Sequence, residues 1–204
     1  MTGITHGTAL WYASRATGVV TLVLLTAVVI LGILVNRRGR LPGLPGFAVT
    51  GLHRNVSLLA VAFLAVHVAT AIADPYVTIG LAATVLPFAA AYKPFWLGLG
   101  AISLDLIAAL VVTSLARGLI GRRTWRGIHW LAYACWPLAV VHSLGSSADA
   151  RGGAVLGVLV ACVLATAAAL AWRLSAAARQ IPRARRAAVT LHRMSPSPAR
   201  KAGL

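Results

Sequence analysis

Four histidines lie inside long apolar stretches of the sequence and form two pairs of similar spacing. His53 and His67 are fourteen residues apart, and His129 and His142 are thirteen residues apart. An ionisable side chain in an apolar segment of this kind is costly and usually has a function. Neutral imidazole is a common metal ligand. Two helices with two imidazoles each can hold two metal centres at two depths, each bound by one histidine from each helix.

The two pairs differ in how well they fit one face of an ideal α-helix. At about 100° and 1.5 Å per residue, His53 and His67 lie about 40° apart around the helix and about 21 Å apart along it. The same geometry leaves His129 and His142 about 140° apart. Pro137 lies between them, and we predict that it kinks or overwinds the helix enough to bring both rings to the bundle core.

The composition is that of an integral membrane protein. Hydrophobic residues make up 59% of the 204-residue chain and charged residues 11%, with a mean hydropathy of +0.84. At about 20 residues per span, this length accommodates four to six helices in one domain. The net charge of +16 could suggest nucleic acid. However, the basic residues lie between apolar segments and in the tail, which is a topology signal, so we expect no nucleic-acid partner.

We predict an all-α integral membrane bundle of about five transmembrane helices. Their approximate bounds are 10–35, 52–73, 96–115, 128–144 and 154–172. The apolar segment from Tyr76 to Tyr92 is short and contains Pro87. We therefore interpret it as a re-entrant or interfacial segment on the outer face. Trp11, Lys93 and Trp96 are interpreted as interface anchors.

The distribution of basic residues sets the predicted orientation. With five spans, sixteen of the nineteen Lys and Arg residues face one side, and Arg15, Lys93 and Arg151 face the other. The positive-inside rule assigns the richer side to the cytoplasm. We thus predict a multi-pass plasma-membrane protein with an extracytoplasmic N-terminus (1–9), a transmembrane domain that holds the metal centres (10–174) and a basic cytoplasmic tail (175–204). The tail is expected to contact anionic lipid or an acidic reductase.

This topology decides how the histidines pair. One helix separates the two histidine-bearing helices, so they run parallel. His53 and His129 then share the cytoplasmic level, and His67 and His142 share the outer level. Haem suits these pairs better than zinc or copper, because the chain offers no nearby carboxylate or thiolate to complete a small tetrahedral site. No Cys-x-x-Cys-His motif occurs, which excludes c-type attachment. Two imidazole ligands per iron favour electron transfer over catalysis at the iron.

Four further residues are candidates for contacting the haems. Haem carries two propionates, which need cationic or hydrogen-bonding partners. Arg54 and Arg126 flank the cytoplasmic pair, and Arg15 lies near the outer level. These arginines are also explained as ordinary membrane anchors. Trp136 lies midway along the second histidine pair, where it either sits between the porphyrins or simply packs.

One acid, Asp105, lies inside a predicted span. A carboxylate at that depth must be protonated, paired or solvated, so it could relay a proton or hold an arginine. An interhelical hydrogen bond through Asp105 or Ser103 explains it equally well.

The histidine pattern resembles that of a known family. His-x13-His and His-x12-His on two helices, with the flanking segments Leu10–Gly18 and Trp125–Tyr133, are similar to the haem-binding core of the ferric reductase-like transmembrane superfamily. That superfamily includes NADPH oxidases, ferric reductases and the membrane haem subunit of the bacterial methionine sulfoxide reductase system. The resemblance covers about Leu10 to Trp172. It implies two bis-histidine b haems that pass electrons from the cytoplasmic side to an extracytoplasmic acceptor.

The sequence departs from the oxidases and ferric reductases because it contains no cytoplasmic FAD or NAD(P)H domain. We therefore expect an electron-transfer subunit of an oxidoreductase whose donor is a separate reductase or a membrane quinol. A haem-free transporter or assembly factor, whose histidines move protons or metal ions, is the alternative. No internal repeat is evident, which counts modestly against a transporter.

Overall fold

The computed structural model describes residues 2–36, 45–75, 77, 79–146 and 152–194. These residues form eight helices: α1 (Thr2–Asn36), α2 (Gly46–Ala73), α3 (Leu81–Val85), α4 (Pro94–Leu115), α5 (Arg117–Ile120), α6 (Arg122–His129), α7 (Ala132–Ser146) and α8 (Gly153–Met194). The prediction of an all-α membrane bundle is confirmed. Arg37, Arg38, Arg40, Arg151 and the last ten residues of the predicted tail lie outside the described residues.

The chain divides into two units, Met1–Thr166 and Ala167–Leu204. The first unit contains every helix that carries one of the four paired histidines. The second continues α8 to Met194 and includes the whole predicted tail, 175–204. The predicted domain bounds at residues 9 and 174 stay predictions.

Within the part of the chain that the structure describes, four helical segments are long and apolar enough to cross a membrane. They are Thr8–Val35, Gly46–Ala73, Pro94–Leu115 and Gly153–Ser175. Large apolar side chains such as Leu58, Val112 and Leu164 are exposed on these helices. Lipid tails solvate such side chains, whereas the backbone hydrogen bonds are satisfied within each helix.

A tight turn divides the predicted fourth helix, 128–144. α6 ends at His129, and α7 begins at Ala132. The amides of Leu131, Tyr133 and Ala134 donate to carbonyls three residues earlier. This 3₁₀ pattern advances the chain about 120° per residue instead of about 100° and so reduces the angular offset between the two histidines. Pro137 lies inside α7, and the kink or overwinding predicted for it stays a prediction.

α6 and α7 together follow α4 along its length. Near one end of α4, Trp125 Nε1 donates to Ser114 Oγ at 3.3 Å. At the other end, Lys93 Nζ donates to the Gly145 carbonyl at 3.1 Å. Residue numbers therefore rise along α4 as they fall along α6 and α7. This antiparallel course is the one that the predicted fifth span requires. However, α7 has only 15 residues, about 22 Å of helix, and neither α6 nor α7 is among the helices that are long and apolar enough to cross a membrane by themselves.

α1 runs antiparallel to α2. Gly18 of α1 lies against the His67 ring, and Gly32 of α1 lies against the His53 ring. The residue numbers rise along α1 as they fall along α2. His53 and His67 are therefore presented at two levels of α1, about fourteen residues apart on each helix.

α1 also runs antiparallel to α7. Trp136 Nε1 donates to Thr26 Oγ1 at 2.9 Å. Leu22, one turn earlier on α1, belongs to a buried cluster with Val140, one turn later on α7. Because α2 and α7 are both antiparallel to α1, they run parallel to each other, as the five-span topology predicts.

The segment between α2 and α4 does not form a spanning helix. Its described residues contain the five-residue helix α3 and otherwise irregular backbone. Leu81, Val85 and Leu86 are exposed. The Phe88 ring stacks on Phe95 with 6.4 Å between ring centroids. The described part of this segment contains no spanning helix, and its predicted re-entrant or interfacial position on the outer face stays a prediction.

Ser103 provides an interhelical hydrogen bond in the middle of the bundle. Its hydroxyl donates to the Cys135 carbonyl of α7 at 3.3 Å, and both residues are buried. One interpretation of the sequence is an interhelical hydrogen bond through Asp105 or Ser103, and Ser103 makes such a bond. Asp105 itself is half-buried on α4.

The bond between Trp136 and Thr26 should couple α7 to α1 measurably. Trp136→Phe keeps the aromatic packing but removes the donor, and we expect it to lower the free energy of unfolding by about 0.6 kcal/mol, as for other interhelical hydrogen bonds in membranes. Reversible SDS unfolding of Trp136→Phe, Thr26→Val and the double variant measures the coupling. Trp172→Phe, at an exposed position on α8, is the control. Strictly additive effects would show that the two side chains do not interact.

Candidate functional site

His53 and His129, which we name the inner pair because they are predicted for the cytoplasmic level, meet between α2 and α6. The ring centroids of His53 and His129 are 6.4 Å apart, with an interplanar angle of 70°. Metal–imidazole distances are about 2.0–2.1 Å, and each ring centre lies about 1.2 Å beyond its ligating nitrogen. Two imidazoles on opposite sides of one metal ion would thus have centres about 6.4 Å apart. The observed separation suits a shared metal.

The surroundings of this inner pair leave ring nitrogens without partners. His53 Nδ1 and His129 Nδ1 are buried and make no hydrogen bond to any described residue. The Val28 backbone lies near the His53 ring. The Trp125 ring stacks on His129 at 4.9 Å and 28°. Buried polar atoms normally make hydrogen bonds, so these two nitrogens without a hydrogen bond are consistent with a site that binds a further group.

The outer-level histidines are held by backbone carbonyls of neighbouring helices. His67 Nδ1 donates to the Ser14 carbonyl of α1 at 2.7 Å. His142 Nδ1 donates to the Trp96 carbonyl of α4 at 2.8 Å. A carbonyl oxygen only accepts, so each ring must carry its proton on Nδ1. The lone pair on Nε2 is then available, and the hydrogen bond makes it a better metal ligand.

Both outer histidines line one large cavity. Its volume is about 650 Å³, and its walls come from α1, α2, α3, α4, α7 and α8. This volume lies within the range of about 300–1,000 Å³ that is typical of ligand and cofactor sites. The wall is mainly apolar, with Arg15, His67 and His142 among the few polar side chains. The cavity therefore has the size and chemistry that a porphyrin requires.

Glycines bring the neighbouring backbones against the outer imidazoles. A Cβ at Gly18 would lie 2.9 Å from His67 Cε1, and a Cβ at Gly100 would lie 2.7 Å from His142 Cε1. Both distances are too short for a real side chain. At the inner level, a Cβ at Gly32 would lie 3.5 Å from His53 Cε1, an ordinary contact. The outer rings are thus fitted more tightly than the His53 ring.

The histidines come together in pairs and not in larger groups. Within the described ranges, no group of three or more His, Cys, Asp or Glu side chains could hold a metal ion. A pair of imidazoles supplies two ligands, which suits a metal whose remaining positions are filled by a planar macrocycle. The donor set therefore fits haem.

The other predicted site residues have different surroundings. Arg15 lines the outer cavity, with its guanidinium carbon 3.9 Å from the centroid of the Trp11 ring. Arg54 and Arg126 are exposed near the inner level. Trp136 donates a hydrogen bond to Thr26 and packs against the buried cluster of Leu22, Val140 and Leu159. The roles of these four residues toward a cofactor stay predictions.

The structure adds residues that the sequence did not indicate. The carbonyls of Ser14 and Trp96 leave no trace in residue type, because every residue has a carbonyl. The glycines Gly18 and Gly100 do carry a signal, since a glycine inside an apolar helix often marks a close approach to another part of the chain. Trp125 carries a signal only as an aromatic residue close to His129 in the sequence. That signal alone does not say which side chain comes close.

Comparison with protein families identifies a match to a family of membrane proteins. The model described as "Ferric reductase like transmembrane component" matches residues 17–140, more than half of the chain. The match contains His53, His67 and His129 and ends just before His142. No curated protein and no solved structure matches the chain.

Gly100→Ala should disturb the outer pair selectively. The added methyl would overlap the His142 ring, so we expect the haem content attributable to the outer level to fall by more than half. Gly157→Ala is the matched control, because a Cβ there meets nothing within 4 Å. Haem per protein, measured by the pyridine haemochrome spectrum, reports the effect. Equal haem content in both variants would mean that the His142 ring does not need its present position.

Proposed function

The chain belongs to the ferric reductase-like transmembrane family, and from this membership we propose that it is a cytochrome b. In this proposal it carries electrons through two haems from the cytoplasmic side of the plasma membrane to an extracytoplasmic acceptor. The family supports a membrane electron-transfer role in general, and its domains are generally haem-binding. The number of haems, their ligands and the direction of transfer are the content of the proposal.

The observation that carries the proposal is the pairing of four histidines at two levels. His53 faces His129 at 6.4 Å between ring centroids. His67 and His142 line one cavity. The pairs come from two parallel helices, so each level receives one imidazole from α2 and one from the α6–α7 segment. This arrangement supports two stacked bis-histidine sites.

The protein's own residues account for ligation, orientation and exclusion of water. Haem iron, when bound, supplies a one-electron Fe(III)/Fe(II) couple. The carbonyls of Ser14 and Trp96 fix the outer imidazoles in the tautomer that ligates through Nε2. The apolar wall of the cavity keeps the local dielectric low. A haem held by two imidazoles, one from α2 and one from the α6–α7 segment, would have no position left for oxygen or substrate, which would favour electron transfer over reaction with them.

The proposed direction follows from charge. Exposed arginines Arg117, Arg122, Arg123 and Arg126 surround the inner level, and the positive-inside rule places such residues in the cytoplasm. The donor is then a separate reductase on that side or a membrane quinol. The acceptor is a molecule that meets the outer level.

Propionate binding is proposed for three arginines. Arg15 lines the outer cavity and is the best placed of them. Arg54 and Arg126 flank the inner pair at the surface. A guanidinium can hold a carboxylate with two hydrogen bonds, which would fix the rotation of the porphyrin about its axial ligands.

A reduced-minus-oxidised spectrum of the purified protein tests this function directly. We expect b-type bands and two haems per chain. His53→Ala or His129→Ala should remove one haem, because either change leaves the inner iron with a single protein ligand. His67→Ala or His142→Ala should remove the other. His192→Ala, outside both pairs, is the control and should keep both haems.

Absence of b-type bands after expression with sufficient haem would contradict the cytochrome assignment. It would favour the haem-free transporter or assembly factor. Full haem content in His53→Ala would instead show that the pairing is wrong while leaving the cytochrome assignment intact.

A further inference from the structure

We propose that Lys93 is a positioning residue for the outer site and that its ammonium group holds His142 in its ligating position. The inference rests on the proposed function, because it takes His142 to be a ligand of the outer haem. It goes further by assigning a role to a lysine that the sequence presents as an interface anchor. The contacts of Lys93 lead to this assignment.

Lys93 Nζ binds the end of the helix that carries His142. It donates to the Gly145 carbonyl at 3.1 Å and to the Ser146 carbonyl at 3.2 Å. These carbonyls lie three and four residues after His142, at the C-terminal end of α7. The last carbonyls of a helix have no partners within the helix and carry partial negative charge. A half-buried ammonium group is a strong partner for them.

The backbone of Lys93 adopts an uncommon conformation at the start of α4. Lys93 has a positive φ of 42° and directly precedes Pro94, the first residue of α4. A non-glycine residue in the left-handed region is uncommon and costs conformational energy. Here that geometry starts α4 at the point where the lysine side chain reaches α7.

The first turns of α4 contact His142 directly. The Trp96 carbonyl accepts the hydrogen bond of His142 Nδ1 at 2.8 Å. The Trp96 ring packs where a side chain on Gly145 would otherwise stand, and Gly100 lies against the His142 ring. Residues 93, 96 and 100 therefore form one α4 surface, which we name the α4 clamp. It contacts His142 and the helix end just beyond it.

Lys93 also places a positive charge at the outer level. A cation near the site stabilises the more negative, reduced state of a bound haem, and the effect is larger in a low-dielectric environment than in water. The exposed arginines near the inner level are screened by solvent and salt. Lys93 is thus expected to raise the reduction potential of the outer haem selectively, which favours electron flow toward it.

The test compares Lys93→Met with Lys93→Arg in the full-length, haem-loaded protein. Lys93→Met keeps the chain length but removes the charge and the donors. We expect a tenfold lower ratio of reduced to oxidised outer haem at fixed potential, equivalent to about 59 mV for a one-electron couple. We also expect a changed low-spin EPR signal, because this signal reports the relative orientation of the two imidazoles. Lys93→Arg should restore both.

Two measurements complete the design. His53→Ala, which removes the inner haem, identifies the remaining signals as those of the outer haem. Arg122→Met removes an exposed cation from α6 and is the control for loss of charge. Loss of the outer haem in Lys93→Met with retention in Lys93→Arg supports the positioning role. Unchanged outer-haem signals, equal shifts of both haems, or equal haem loss in both Lys93 variants would overturn it.

Failure of the inference can be distinguished from failure of the proposed function. If the wild-type protein has no b-type haem, the function fails, and the clamp is then tested by acylation of lysine amines. Lys93 should react at least tenfold more slowly than Lys201, the other lysine of the chain, under conditions that expose both faces in detergent. Equal reactivity would show that the ammonium is not held by the α7 carbonyls.

Discussion

A buried imidazole must satisfy both of its ring nitrogens without water, and the outer half of this bundle depends on how that requirement is met. His67 and His142 each give one nitrogen to a backbone carbonyl of a neighbouring helix, at 2.7 and 2.8 Å. The other nitrogen of each ring must then find a partner in the cavity. Since an unpaired polar atom is costly in an apolar medium, this arrangement supports the proposed role of His67 and His142 as metal ligands. The inner pair, whose Nδ1 atoms lack partners among the described residues, meets the requirement less completely.

α1 sets the relation between the two histidine-bearing helices. It contacts α2 through Gly18 and Gly32 and contacts α7 through Thr26. Glycine allows the close approach, and the tryptophan–threonine bond fixes the register, as small and polar residues do in other membrane helix pairs. Because both contacts are antiparallel, α2 and α7 have to be parallel. The two levels of histidines are a consequence of this shared partner.

The sequence predicts the pairing of the histidines because the pairing depends only on how many membrane spans separate the two histidine-bearing helices. The excess of Lys and Arg on one side fixes the number of spans between the two pairs, and this fixes which histidines share a level. The turn at Trp130–Leu131 could not be predicted, because it contains neither glycine nor proline. The carbonyl partners of His67 and His142 and the reach of Lys93 to α7 depend on tertiary packing, which residue types do not record.

Haem content of two double variants tests the pairing most directly. His53→Ala/His129→Ala removes both ligands of one level, so the account predicts that one haem per chain remains. His53→Ala/His142→Ala removes one ligand from each level, so no stably bound haem should remain. The opposite result, with one haem in the second variant and none in the first, would contradict parallel histidine helices and the two-level arrangement.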